Sequence, residues 1–452
     1  MYEQAIAAVA TPSGTGGIGT VRISGENAIG IADKIFKSKS GKRLADLCGY
    51  TALYGDVFYD KKVIDEAVAL VFRGPKSYTG EDVVEISVHG GDFVVRLVLR
   101  AALDAGAAIA EKGEFTKRAF MNGKMKLCEA EAVMDIISAD GEQALNAGVA
   151  AHSGAIAIKC NDIKDKLKFA AATVAAYADF PDEGPEFSGI DRLGELISNA
   201  IYELNKLIDT YDTGRMIKNG VNTVIVGPPN AGKSTLMNLI SGCNRSIVTP
   251  IAGTTRDIVE ETVNFGGVTL KLSDTAGLRE TDDEVEKIGV ERTKECLESA
   301  DLVIAVLDGS GELLEEQEIL DMLKNRPSIV VYNKADIAEP KTVYAENLNI
   351  KHIVMSAKQG DLQLLSEAVK EVTGLNRLEG TAAVFLNERQ RNCAKRALDA
   401  LLQAKDALDI GMTVDAVGVL IDDALSAILE LSGERVTNEV ADEVFSKFCV
   451  GK

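Results

Sequence analysis

The sequence predicts a multidomain chain of mixed class, α/β plus all-α: an opening α/β domain, then a helical domain interrupted by a second α/β domain on a mainly parallel sheet. Three observations carry this. The chain has 452 residues, 46% hydrophobic and 26% charged, which at about 100–200 residues per domain divides into two to four domains. Between residues 218 and 374 short apolar runs alternate with helical stretches, the pattern of strands buried on both faces. On both sides of that segment the text is rich in Ala, Leu, Glu and Lys at helical spacing.

In order, residues 5–24 read as an apolar run, a glycine turn and the strand Thr20-Val-Arg-Ile-Ser24, and further strand-like stretches at 67–72 and 83–89 complete an opening domain over 1–120. Beyond Asn122 the pattern is helical as far as Tyr211, with proline only around Pro181 and Pro185, giving a first helical part at 121–217. Strands follow at 223–226, 269–273, 302–307, 329–332 and 352–355, within a domain spanning 218–374. Apolar periodicity through 397–408 and 417–431 marks a second helical part, 375–452, expected to pack with the first as one unit.

Composition narrows the function. A net charge of −20 repels polyanions on average, so any nucleic-acid contact must come from a local basic patch, and non-specific coating of DNA is excluded. The first residues lack a basic stretch followed by an apolar core, and the apolar run at 169–178 is too short to span a bilayer, so no membrane association and a cytoplasmic location are expected. The seven cysteines are scattered and odd in number, which argues against a disulfide framework or a zinc cluster. His89, His152 and His352 are too few and dispersed for a catalytic cluster.

The chemistry lies in four motifs. Gly227-Pro-Pro-Asn-Ala-Gly-Lys-Ser234 fits the phosphate loop, after a strand and before a helical run: backbone N–H groups wrap phosphates, Lys233 faces the β and γ groups, and Ser234 can ligate Mg²⁺. Asn230, Ala231, Gly232 and Thr235 belong to the same cradle. Forty-seven residues after Gly227, Asp274-Thr275-Ala276-Gly277 ends a strand, with a carboxylate for the Mg²⁺ shell and a glycine N–H for the γ-phosphate. Between them Thr249-Pro-Ile-Ala-Gly-Thr-Thr-Arg-Asp257 offers hydroxyls at Thr254 and Thr255, and Thr255 is favoured as the second Mg²⁺ ligand. Asn333-Lys334-Ala-Asp336 follows a strand, and an ionised Asp336 accepts two hydrogen bonds from guanine N1 and N2, a donor pair adenine lacks. Losing a partner for that charge costs roughly 1–3 kcal/mol, enough to reject ATP by more than an order of magnitude. Ser356-Ala357-Lys358 is positioned to present N–H groups to guanine O6. The four in this order identify a Ras-like P-loop GTPase domain, hence a GTP hydrolase.

One departure is informative. Ras-like proteins orient the attacking water with a glutamine after the glycine, and Leu278 stands here; Glu280, Asp282, Asp283, Glu284 and Glu286 are alternatives among which the residues alone do not choose. Two decoys are set aside. Gly14-Thr-Gly-Gly-Ile-Gly19 matches the dinucleotide fingerprint but leads into a strand rather than a helix, and Cys449-Val-Gly-Lys452 ends in lysine after acidic rather than polybasic text, unlike a prenylation box.

Read together with Ile251-Ala-Gly-Thr-Thr-Arg-Asp257, Asp274-Thr-Ala-Gly-Leu-Arg279, Tyr78-Thr-Gly-Glu-Asp82, Gly113-Glu-Phe-Thr-Lys-Arg-Ala-Phe120 and Phe448-Cys-Val-Gly-Lys452, the whole chain resembles the MnmE (TrmE) family of tRNA uridine-modification GTPases. The resemblance implies that the opening domain binds (6S)-5-formyltetrahydrofolate or a related tetrahydrofolate through Arg22, Glu81, Lys124 and Lys452, and mediates a homodimer. It implies a K⁺ held by Asn230, Thr249, Ile251 and Thr254, a water-orienting Glu286, and a role for Cys449 near the one-carbon site. It also implies a FAD-dependent partner, GidA (MnmG), and a tRNA substrate modified at C5 of the wobble uridine with an aminomethyl or carboxymethylaminomethyl group. Lys126 and Glu129 stand where the family usually has aspartate and glutamine. Two other readings remain open: a ribosome-assembly GTPase switch, for which the tail after Gly374 lacks a basic RNA-binding module, and a folate-dependent one-carbon transferase whose GTPase is purely regulatory.

Overall fold

A computed structural model of the chain describes residues 4–179, 188–242, 260–274, 297–309, 314–337, 349–377 and 383–452. It forms two compact units, one of Met1–Met134 with Ser432–Lys452, the other of Asp135–Leu431.

The first unit contains β1 (Ile6–Val9), β2 (Ile18–Ser24), α1 (Ala28–Ile35), β3 (Phe36–Ser38), β4 (Thr51–Tyr59), β5 (Lys62–Phe72), β6 (Val83–His89), α2 (Asp92–Asp104), β7 (Ala108–Ile109) and α3 (Glu114–Met121). Its seven strands run in the order β3-β4-β5-β6-β2-β1-β7, antiparallel except where β1 meets β7. Alternation sorts the faces. Ala5, Ala7, Val21 and Ile23 point into a core closed by Ile29, Ile31, Val95 and Val98 of α1 and α2. Ile6 and Ala8 point the other way, against Phe115 of α3 and the half-buried Tyr78. Arg22 and Ser24, two residues apart on β2, therefore share this second face. The strand expected at 67–72 is the end of β5, which begins at Lys62; β4 pairs along it across a turn in which Asp60 and Lys61 both have positive φ.

The chain's last segment completes this unit. Phe445 of the helix Asn438–Ser446 and Phe448 pack with Leu127, Ala130 and Val133. The final residues then thread along α3: the Gly113 N–H donates to the Cys449 carbonyl at 3.3 Å and the Phe115 N–H to the Lys452 carbonyl at 3.2 Å. Gly451 sits at φ 96°, and a Cβ there would lie 2.2 Å from the Val9 carbonyl oxygen, so only glycine passes.

In the second unit α4 (Leu127–Ile137), which begins in the first, leads to α5 (Glu142–His152), α6 (Ala155–Asp179), α7 (Ser188–Asp209) and α8 (Tyr211–Asn219). Leu193, Ile197, Ala200, Leu204 and Leu207 recur at helical spacing on the buried stripe of α7. After β8 (Val221–Val226) come α9 (Lys233–Ser241), β9 (Glu260–Phe265), β10 (Val268–Asp274), β11 (Leu302–Asp308), α10 (Leu314–Met322), β12 (Ser328–Asn333), β13 (Lys351–Val354) and α11 (Gln363–Val372). The helices α12 (Glu388–Asp409) and α13 (Val414–Ser432) follow, then α14 (Asn438–Ser446) of the first unit. The six strands run β13-β12-β11-β8-β10-β9, all parallel except the β9–β10 edge. Leu302, Ile304 and Val306 pack on one face and Val303, Ala305 and Leu307 on the other, which explains the near-continuous apolar text. Residues 260–265, not read as a strand from sequence, form the antiparallel edge.

Candidate functional site

The described parts of the nucleotide motifs lie at the carboxyl ends of the parallel strands, where open α/β sheets bind ligands. Register places Asp274 of β10 opposite Ile225 of β8, and Asp308 of β11 opposite Asn333 of β12. The phosphate loop leaves β8 and turns into α9 at Lys233, so the N–H groups of the first helical turn and the positive end of the helix face the same point. Asn230 takes a left-handed φ of 62°, and the Lys233 ammonium donates to the Gly227 and Pro228 carbonyls at 2.9 and 2.8 Å, folded over its own loop. Ala231 is buried, while Ser234 and Thr235 are exposed on the first turn of α9.

Asn333 joins the loops. It is buried; its Nδ2 donates to the Ala231 carbonyl at 2.8 Å, and its Oδ1 accepts from the Ala357 N–H at 2.9 Å. Gly232, at φ 98°, must be glycine for the same reason: a Cβ there would stand 2.2 Å from Asn333 Nδ2. Lys334, also at positive φ, pairs with Asp308 at 2.5 Å. Asp336 is exposed and accepts from the Ser356 hydroxyl at 2.6 Å; that bond first, then a backbone bond and the nearby Lys358 charge, hold its carboxyl below the usual aspartate value, leaving it ionised at neutral pH. Asn333, Asp336, Ser356, Ala357 and the phosphate loop are thus brought together. Of Asp274 only the strand backbone is described. Thr249, Ile251, Thr254, Thr255, Thr275, Ala276, Gly277 and Glu286, with Glu280, Asp282, Asp283 and Glu284, lie outside the described residues.

A second constellation lies in the first unit. The Arg22 guanidinium donates to Glu85 at 2.8 Å and to the Gly451 carbonyl at 3.1 Å, and its carbon lies 5.5 and 5.7 Å from the ring centres of Phe115 and Tyr78. Lys452 is adjacent: burial first, then the Arg22 charge, pushes its amine below the ordinary lysine value. Glu81 accepts from the buried Ser24 hydroxyl at 2.8 Å; that hydroxyl's single proton being used, it in turn accepts from Thr79 at 2.7 Å. Glu81 also receives the almost fully buried Arg118, which reaches Glu114 and the Gln4 carbonyl as well. Lys124 donates to the Pro75 carbonyl at 2.9 Å, its stem beside Gly80. So Arg22 meets Lys452, and the Lys124 stem lies beside Gly80, next in sequence to Glu81, which the Ser24 hydroxyl joins to the Arg22–Ser24 face of β2. Cys449 is exposed beside the pairing of the tail with Gly113. Three cations, Arg22, Lys124 and Lys452, with the Glu81 carboxylate and two aromatic rings fit a ligand that carries carboxylates and a hydrogen-bonding heterocycle. Sequence reasoning gave no role to Arg118, Glu85 or Asp308; the only sign of Arg118 was its place within the family motif at 113–120.

Comparison with known proteins identifies the family. Residues 5–124 match the family described as GTP-binding protein TrmE N-terminus, and 127–449 match the MnmE helical domain. The tRNA modification GTPase MnmE of Clostridioides difficile is 41% identical over 456 residues, covering 100% of this chain and 99% of that protein. Its namesake in Alkaliphilus oremlandii is 40% identical, with 100% of both covered. Among solved structures, the G domain of the T. maritima FeoB iron transporter is 26% identical at a TM-score of 0.27, over 34% of this chain and 98% of its own. With both family descriptions matched and this identity across its full length, the chain belongs to the MnmE family of tRNA modification GTPases.

Proposed function

We propose that this protein hydrolyses GTP to GDP and phosphate while modifying C5 of the wobble uridine of tRNA, using a tetrahydrofolate carbon held in the opening domain and a FAD-dependent partner of the GidA (MnmG) kind. The observation that carries the nucleotide half is Asn333, whose two bonds tie the phosphate loop to the base-side loop of Ser356 and Ala357. A change at the base is thereby felt at the phosphates. Lys233 neutralises β and γ oxygens, Ser234 and Thr255 hold Mg²⁺, and the ionised Asp336 selects guanine. Asn230, Thr249, Ile251 and Thr254 surround K⁺, a charge that does the work of an arginine finger, worth roughly 10³–10⁵ in rate. Glu286 orients the attacking water, which Leu278 cannot.

In the opening domain Arg22 and Lys452 neutralise the carboxylates of the folate tail, Glu81 accepts from the pterin donors, and Lys124 stands beside it. Cys449 lies at the same end. The opening domain also joins two copies in a homodimer, and nucleotide turnover in residues 218–374 times the modification through the helical parts.

The test is GTP turnover by the purified protein at fixed ionic strength in KCl and in NaCl, with ATP as control. Strong stimulation by K⁺ and no turnover of ATP are expected. Equal rates in the two salts would remove the K⁺ site, and turnover of ATP would remove the role given to Asp336. A Glu286→Ala variant that binds GTP normally yet keeps full modification would break the coupling of hydrolysis to modification.

A further inference from the structure

A chain of net charge −20 that handles tRNA needs a local positive surface, and one stretch of the first unit stands out. Residues 34–62 carry seven basic side chains against three acidic ones. Two of the seven are spoken for, Lys39 by Asp56 and Glu66, and Arg43 by Asp33. Three of the others, Lys34, Lys37 and Lys61, line one depression of about 590 Å³ between the end of α1, β3, the β4–β5 turn and the end of α2. All three are exposed. Lys34 spends one donor on the Ala105 carbonyl, a neutral group. Two half-buried aromatic rings stand among these cations, with the Lys37 amine 5.1 Å from the Phe58 ring centre and the Arg100 guanidinium 6.0 Å from that of Tyr59. Acidic groups are present too: Asp60 lines the depression, and Asp104 accepts from the Tyr59 hydroxyl.

We infer that this surface of α1, β3 and the β4–β5 turn holds the phosphodiester backbone of the tRNA. The inference rests on the reading of tRNA as substrate and adds where it is gripped. Clustered ammonium groups at the mouth of a shallow depression suit a run of phosphates, each a compact acceptor, and the interleaved aromatic rings suit unpaired bases rather than an acidic protein surface. The two tight turn residues, Asp60 and Lys61, fix where the Lys61 stem begins.

The experiment measures affinity of the full-length protein for an unmodified tRNA transcript at several KCl concentrations. In the double variant Lys37→Ala, Lys61→Ala, affinity at low salt is expected to fall about tenfold or more, and the slope of log affinity against log salt to shrink by about two, one for each phosphate left without its lysine. GTP turnover should be unchanged, because both lysines lie in the unit without the nucleotide motifs. A control removing two exposed lysines of the other unit, Lys168→Ala with Lys395→Ala, is expected to keep the wild-type slope. Unchanged affinity and slope in the first variant overturn the patch while leaving tRNA as substrate; an equal loss in the control reduces the effect to net charge and overturns it as well. A wild-type protein with no affinity for tRNA overturns both the patch and the reading beneath it.

Discussion

Asn333 concentrates two duties in one amide. Both of its polar ends are used inside the protein, so Asn333→Ala strands a carbonyl at Ala231 and an N–H at Ala357, at roughly 1–3 kcal/mol for each unsatisfied group. GTP affinity is expected to drop by tenfold or more, with a lower melting temperature in nucleotide-free protein; a variant melting as the wild type does would show that the tie is dispensable. Asp336→Asn keeps the shape and removes the charge, so it should weaken GTP while raising tolerance for xanthine nucleotides, whose base presents an acceptor where guanine has a donor. Competition binding measures this. The amine of Lys452 carries a pH signature. Its value in the folded protein lies below that of a free lysine, so the folded state releases the proton first, and stability rises with pH between the folded value and the ordinary one. Tetrahydrofolate affinity should instead fall as the pH climbs through that lowered value, and Lys452→Ala should flatten the alkaline limb. The candidate nucleotide motifs could be read from the sequence because each keeps its own atoms within a few positions. Arg118 was not, since what makes it special is burial among Glu81, Glu114 and Gln4, groups up to 114 residues away.

At the scale of elements, the buried parallel strands were legible because both faces are apolar, and β8, β11 and β12 lie within a few residues of their expected limits. Among the strands not read from the sequence, two show different reasons. The β9 strand is short and begins with two glutamates at a sheet edge, where one face need not be apolar. The hairpin of β4 and β5 turns on Asp60 and Lys61 at positive φ, without the Asn-Gly or Asp-Gly text that marks such turns. Nor does any periodicity announce that residues 449–452 lie along α3. Gly451→Ala tests that threading: the left-handed backbone and the approach to Val9 should cost roughly 1–3 kcal/mol and release the tail. Faster labelling of Cys449 by a thiol reagent and loss of tetrahydrofolate affinity, with GTP turnover retained, are expected. Unchanged labelling would mean that other interactions hold the tail.

At the scale of the molecule, two compact units with separate candidate ligands invite a calorimetric experiment. A ligand at a hundredfold excess over its dissociation constant stabilises its unit by about 2.7 kcal/mol. Mg²⁺ with GTP should therefore raise the melting of one transition, and tetrahydrofolate that of the other; a single transition moved equally by either ligand would show that the units melt as one.

The seating of the tail also sets an order of events during synthesis. The guanidinium of Arg22 meets the Gly451 carbonyl across a sequence separation of 429 residues, and closing a flexible loop of that length would cost about 5 kcal/mol in chain entropy. The sheet of the opening unit leaves the ribosome first, yet waits for residues 432–452 before Gly113 and Phe115 find their acceptors. All of Asp135–Leu431 emerges in between and can fold meanwhile. A nascent chain could thus grip GTP while the cluster of Arg22 and Lys452, the proposed tetrahydrofolate site, is still open at one end.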